Sequence, residues 1–289
     1  MSKLWALTLR DVKKWMRNPF MILLMIGQPL AWLILFGKSF NFKGIINIPP
    51  EILSQLPASV RDLVPTFLEQ RFNQYLEGIP DYFTFLAIGM LSVSVLFTSS
   101  FSGVSIVQDR RLGFLDKLLV SPVPRITIIG AKVLSSVVRS LVQAALLFII
   151  ALALGMHIGT SFGVFQLLGM TIVLFLLSLG LSAGYVAASI TSESFETRVI
   201  LGNLLNMPLM FTSNALYPLK QIPDWLQPIA AVNPISHSAD AIRQLIVTGG
   251  EFTSPGILDR FAIDLGYLGV FTTITLIICL LSAKRLAKN

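Results

Sequence analysis

Apolar and polar residues alternate along this chain in long blocks rather than in short periods. Six apolar stretches are long enough to cross about 30 Å of hydrocarbon at about 1.5 Å of helix per residue. They cover residues 20–37, 82–107, 126–156, 164–190, 199–217 and 261–283. This pattern predicts an all-α integral membrane protein with six transmembrane helices, in a single domain over residues 1–289.

The segments between the spans have patterns of their own. Residues 1–19 predict an amphipathic helix at the membrane interface, with apolar positions on one face and cations on another. Residues 38–81 predict an external segment with a small amphipathic cap. Residues 218–260, whose apolar sequence is interrupted by Pro218, Pro223, Pro228 and Pro234, predict two external half-helices that re-enter the outer leaflet. The interface helix is marked by Trp5, Arg10, Lys13, Lys14 and Arg17.

The distribution of Lys and Arg predicts the orientation in the membrane. The N-terminus, the 108–125 and 191–198 loops and the C-terminus hold thirteen basic residues, and two more lie close to them, against seven on the other side. Because basic residues concentrate in cytoplasmic loops, both termini are expected in the cytoplasm. We expect a multi-pass protein of a prokaryotic cytoplasmic (inner) membrane.

Composition supports the membrane class and excludes several others. The chain is 54% hydrophobic and only 13% charged, whereas soluble domains carry about 25% charged residues. In such a chain the net charge of +7 points to topology and anionic lipid rather than to nucleic acid. The single cysteine, Cys279, excludes an internal disulfide, and we expect no metal site.

Residues 108–125 form a more elaborate connection than two spans need. Leu112, Leu115 and Leu119 repeat at helical spacing, and Phe114 widens this apolar stripe. Charged residues surround the stripe, and Ser121-Pro-Val-Pro124 closes the segment. The pattern is typical of a short helix that inserts into a groove on a cytoplasmic protein.

Polar residues inside the spans are candidates for a pathway or for helix contacts. Lys132 is shallow enough to extend its amine to the surface, whereas Arg139, near mid-span, is expected to face the protein interior or a polar cavity. Asn203, Asn206 and Asn214 are open to two interpretations, as hydrogen bonds between helices or as groups that line a pathway.

Two alternative functions are a membrane-embedded hydrolase and an ion-coupled secondary transporter. The sequence Gly180-Leu-Ser182-Ala-Gly184 matches the nucleophile motif of hydrolases, but small residues in spans usually allow helices to pack closely. An ion-coupled secondary transporter usually carries acidic residues inside its spans, and here they lie in loops or near span ends. No phosphate-binding loop is present. An energy source is therefore expected on another chain.

The segment VQDRRLGFLDKLLVSPVPR followed by IIGAKVL resembles the cytoplasmic loop of type-2 ATP-binding-cassette (ABC) export permeases, closest to the drug-resistance and nodulation-type subgroup. The resemblance extends over nearly the whole chain, including Gln28-Pro29 of the first span. The family often has Glu where Asp109 and Asp116 stand, and Thr where Phe114 stands, so the surface that meets a partner differs here.

This resemblance implies a permease subunit without catalytic residues of its own. Two ATPase subunits would bind ATP and Mg²⁺. A second permease copy would complete a homodimer, or a related subunit a pseudo-symmetric heterodimer, through the first and fifth spans. The exporter would move an amphipathic drug-like, lipid or glycan-linked substrate by alternating access. The implied coupling residues are Asp109, Arg110, Arg111, Gly113, Phe114, Leu115, Asp116 and Leu119. The candidate pathway or dimer-interface residues are Gln28, Arg139, Asn203, Asn206 and Asn214.

Overall fold

A computed structural model describes residues 3–38, 57, 76, 79–160, 162–190, 194–219, 222–247 and 257–285. Within these residues every regular element is helical, which confirms the all-α prediction. The helices are α1 Lys3–Met16, α2 Pro19–Trp32, α3 Tyr82–Arg111, α4 Phe114–Leu119, α5 Arg125–Ala153, α6 Val164–Ile190, α7 Phe195–Phe211, α8 Gln227–Ala231, α9 Pro234–Val247 and α10 Ile257–Arg285. A π-helical segment, Leu33–Lys38, continues α2.

Four of these helices are long and apolar enough to cross a membrane: α3, α5, α6 and most of α10. The chain is therefore a multi-pass membrane protein. The first and fifth predicted spans correspond to shorter elements, α2 with its π-helical extension and the 17-residue α7. At about 1.5 Å per residue, α7 measures about 25 Å. The count of six spans stays a prediction.

Helix α3 lies at the centre of the bundle. In the most apolar part of α3, 94% of the residues are buried inside the bundle, whereas in that of α10 only 17% are buried. Helices α5, α6, α7 and α9 all pack against α3. Helix α3 has no polar stripe along one side, so all of its faces can pack against other helices.

Small polar residues line the contacts of α3 with α5 and α6. Thr98 donates to the Gln143 side-chain carbonyl at 2.7 Å, and Ser102 donates to the Ser182 backbone carbonyl at 3.2 Å. These side chains are buried. Small hydroxyl residues let helix backbones approach closely and supply hydrogen bonds between helices.

One of the predicted spans ends earlier than expected. Helix α7 ends at Phe211, six residues before the end of the predicted span, because side chains redirect the backbone there. Ser213 donates to the Met210 carbonyl at 2.6 Å, and the Asn214 amide donates to Ser236 at 3.2 Å. The expected amphipathic cap within residues 38–81 lies almost wholly outside the described residues.

The region predicted to hold two half-helices contains α8 and α9. Helix α8 has 5 residues and α9 has 14, and α9 packs against α3, α6 and α10. His237 on α9 bonds to Asp264 on α10 at 2.7 Å, and Arg243 pairs with Asp240 at 3.0 Å. Asn214 donates to both Asp240 carboxylate oxygens at 2.7 Å. Polar bonds therefore fasten this end of the bundle.

Candidate functional site

The segment 108–125 begins with a break between α3 and α4. Gly113 has a φ of +65°, a left-handed conformation that glycine adopts without the steric cost of a side chain. The chain turns there, and the short helix α4 begins at Phe114. Gly113 therefore sets the direction of α4 relative to the central helix α3.

The apolar stripe of this segment is divided between two faces. Leu115 is 4% exposed and packs in a cluster with Ile106 and Ile128, inside the permease. Leu112 and Val120, at the two ends of α4, are 67% and 87% exposed. The side chains of Asp116 and Leu119 lie outside the described part of the structure. Any partner of α4 would therefore meet Leu112 and Val120, while Leu115 anchors the helix.

A group of charged side chains lies directly beside α4, which we call the ion cluster: Arg10, Asp11, Asp109 and Lys132. The Lys132 amine contacts the Asp109 carboxylate and lies 2.8 Å from the Asp11 carboxylate. Arg10 lies 2.5 Å from Asp11 and 3.3 Å from Asp109. Lys132 also donates to Ser105 at 3.0 Å. The cluster joins α1, α3 and α5 at the point where α3 meets α4.

Burial makes the ion cluster electrostatically strong. Lys132, Asp109 and Asp11 are each less than a tenth exposed, so water screens their attraction little. Burial alone disfavours the charged form of Asp11, but the adjacent Lys132 and Arg10 outweigh it and hold the pKa of Asp11 below its usual value. The Lys132 amine is enclosed between two carboxylates, so the expectation that it reaches the surface is wrong.

Helix α1 packs against α5 through a face that the sequence did not single out. Its buried residues are Thr8, Asp11 and Trp15. The Arg10 guanidinium lies 4.0 Å from the centre of the Phe114 ring, which places α1 in direct contact with α4. Of the five residues that mark the predicted interface helix, Trp5, Lys13, Lys14 and Arg17 are exposed.

Two further arginines connect this segment to the loop between α6 and α7. Arg110 donates to the Ile190 carbonyl at 2.9 Å, and Arg111 lies 3.4 Å from the exposed carboxylate of Glu196. Arg198, at the start of α7, is 1% exposed and donates to the Tyr185 carbonyl at 3.0 Å. From the sequence, Arg198 could be recognised only as a basic residue of the 191–198 loop.

The candidate pathway residues fall into two groups. Arg139 and Asn206 are buried, and Asn206 accepts a hydrogen bond from the Tyr185 hydroxyl. Asn214 is buried in the network with Asp240 and Arg243. Gln28 on α2 and Asn203 on α7 are exposed. The structure does not bring these five residues together at one site.

The hydrolase interpretation of Ser182 finds no support in its surroundings. Ser182 is buried, and its hydroxyl donates to Ser136 at 2.8 Å. The two histidines of the chain bond to carboxylates elsewhere, His157 to Asp81 and His237 to Asp264. Ser182 therefore acts in packing between α5 and α6. Among the described residues, no group of three or more His, Cys, Asp and Glu is arranged to hold a metal ion.

Comparisons of the chain with a family of known proteins and with individual relatives agree with each other. The family described as "ABC-2 type transporter" matches residues 2–247. The "Putative transport permease ycf38" of Cyanophora paradoxa is 26% identical over 291 residues, which cover 100% of this chain and 90% of that protein. The "Daunorubicin resistance ABC transporter permease protein DrrB1" of Streptomyces coeruleorubidus is 25% identical over 205 residues, 70% of each chain. The chain therefore belongs to the ABC-2 type transporter family and is a transmembrane permease of an ABC transporter.

Proposed function

We propose that this permease is the membrane subunit of an ATP-driven exporter of amphipathic drug-like, lipid or glycan-linked substrates. Family membership implies association with ABC ATPase subunits. The daunorubicin-resistance permease and the "Probable doxorubicin resistance ABC transporter permease protein DrrC" of Mycobacterium tuberculosis favour a drug-like substrate. The latter is 27% identical over 160 residues, which cover 55% of this chain and 56% of that protein. Two ATPase subunits would bind ATP and Mg²⁺, and two permease copies would form a homodimer.

The proposed arrangement in the membrane has six spans and both termini in the cytoplasm of a prokaryote. The asymmetry of Lys and Arg supports this orientation. With this orientation, α1 and α4 would lie on the cytoplasmic side and α8 and α9 on the external side. In this arrangement α2 with its π-helical extension and α7 would be the two shorter spans.

Helix α4 is proposed as the site where an ATPase subunit acts on the permease. The observation that carries this proposal is the contrast between the two sides of the segment. Leu112 and Val120 are exposed, whereas Leu115 is buried in the bundle and Asp109, just before α4, is held in the ion cluster. A displacement of α4 would therefore move α3, α5 and α1 together rather than bend a free loop.

Gln28 and Asn203 are proposed to face the second permease copy or the substrate pathway. Both are polar amides exposed on apolar helices. An amide that meets only lipid leaves its hydrogen-bonding groups unsatisfied, which is unfavourable in hydrocarbon. A partner helix or a water-filled pathway would satisfy them.

A double substitution at the exposed positions tests the docking proposal. We expect Leu112→Glu/Val120→Glu to abolish co-purification of the ATPase subunit and its stimulation by the permease, because two carboxylates replace the apolar contact. The permease should still insert and keep its unfolding temperature, since both side chains are exposed. Trp225→Glu, a change at a residue that is 73% exposed between α7 and α8, is the matched control.

Two outcomes would count against this function. If Leu112→Glu/Val120→Glu retained full ATPase binding and stimulation, α4 would not be the docking site. If the purified permease transported substrate on an ion gradient without any ATPase, the ion-coupled alternative would replace the ATP-driven one.

A further inference from the structure

Arg139 is a buried cation with very few protein partners. It lies on α5, is 6% exposed, and its Nε donates to the Ser135 carbonyl at 3.2 Å. Among the described residues no carboxylate lies within 4.0 Å of its guanidinium, and its two Nη groups have no protein acceptor. The Nη groups keep a small solvent-accessible surface, so they are open to a further acceptor.

The neighbouring ion cluster compensates the charge of Arg139 only in part, through the attraction of Asp11. Its two carboxylates, Asp11 and Asp109, are already in contact with three cations, Arg10, Lys14 and Lys132. Adding Arg139 gives four positive charges against two negative ones in this part of the bundle. A buried charge without a counter-ion is unfavourable, so the geometry calls for an anion from outside the described residues.

The position of the guanidinium along α5 indicates where such an anion comes from. The bond to the Ser135 carbonyl draws the guanidinium toward α4, by about 4 Å from the level of its own Cα. Helix α1 crosses α5 at Gly130 and Lys132, through Leu4 and Asp11. The guanidinium is therefore one to two helical turns deeper than α1.

An amphipathic helix such as α1 lies in the headgroup layer of the bilayer, with its apolar face about 5–10 Å deep. Lipid phosphates at the level of α1 would lie one to two helical turns from the guanidinium, and local thinning of the bilayer around a buried arginine would bring them within reach of it. The exposed cations of α1, Lys13, Lys14 and Arg17, would attract anionic lipid to the same place.

We propose that Arg139 binds a phosphate group, that of an anionic phospholipid headgroup in the leaflet that holds α1. The Nη donors suit phosphate oxygens because guanidinium and phosphate match in planar, two-point geometry. A soluble phosphorylated solute offers the same chemistry, and the experiment separates the two sources. The inference is independent of ATPase docking, because it concerns the permease alone.

The test uses the full-length permease purified in a neutral detergent. Thermal unfolding is followed while phosphatidylglycerol, phosphatidylcholine or inorganic phosphate is titrated in. We expect a saturable rise of the unfolding temperature with phosphatidylglycerol. Arg139→Gln should weaken the apparent affinity for that lipid by about tenfold or more, because a charge-assisted hydrogen bond is lost. Arg139→Lys should retain part of the response.

Two comparisons make the outcome decisive. Lys13→Gln removes an exposed cation of α1 and should leave most of the lipid response intact. Without lipid, Arg139→Gln should be at least as stable as the wild type, because no ion pair is broken. An unchanged response to phosphatidylglycerol in Arg139→Gln, or strong destabilisation of that variant in neutral detergent, would overturn the proposal. An equal response to inorganic phosphate would assign the site to a soluble anion.

Discussion

Substitution of Lys132 by methionine tests how strongly the ion cluster holds α1, α3 and α5 together. The change removes the amine that lies between Asp11 and Asp109 and leaves two carboxylates, 8% and 4% exposed, with less compensation. Removal of one partner from a buried ion pair costs about 3–5 kcal/mol. We expect about 3 kcal/mol of lost stability, at the lower end, because Arg10 stays beside both carboxylates.

A triple variant that lacks all three charges provides the control for this prediction. Lys132→Met combined with Asp11→Asn and Asp109→Asn removes all three charges, so it should recover most of the lost stability. Lys13→Met, on the exposed face of α1, should change stability by no more than about 0.5 kcal/mol. The measurement is chemical unfolding in mixed micelles. A single Lys132→Met variant as stable as the wild type, or a triple variant no better than the single one, would refute the reasoning.

Two further predictions concern the packing of α3 and the bonds of α9. Gly89→Ala places a Cβ 2.0 Å from the Ala215 carbonyl oxygen and should lower the stability by about 1–3 kcal/mol in the same assay. Gly27→Ala is the control, because its Cβ meets nothing within 4 Å, and it should not lower the stability. Burial opposes the charging of His237, but its bonds to Asp264 and to a backbone carbonyl outweigh this and raise the pKa of His237. The resulting stabilisation is complete below pH 6.5 and is lost as the pH rises through the raised value, so the unfolding temperature should fall as the pH rises above 6.5, and His237→Gln should flatten this profile.

Residues whose role depends on helix periodicity were predictable from the sequence. The apolar run of α6 defines a helix because a stretch of about 20 apolar residues has one stable form in lipid. The amphipathic character of α1 follows from its repeating cations and apolar residues. The interior position of Arg139 was predicted from its depth in a span, and its burial confirms it.

Residues whose role depends on contacts between distant helices were not predictable. Asp11 is a single acidic residue on a basic helix, and nothing in the sequence pairs it with Lys132, 121 positions later. Leu115 belongs to the same stripe as Leu112, yet the turn at Gly113 places the first inside and the second outside. One local signal was available: Asp11 interrupts an otherwise cationic helix, and such an exception suggests a buried counter-ion.

The central claim is that α4 is the surface through which an ATPase subunit acts on this permease. Cross-linking tests it most directly, because the single native cysteine, Cys279, is buried and can be replaced by serine. In that background, Val120→Cys with a short bifunctional reagent should cross-link to the ATPase subunit in native membranes, and Trp225→Cys should not. Efficient cross-linking from Trp225→Cys with none from Val120→Cys would contradict the account.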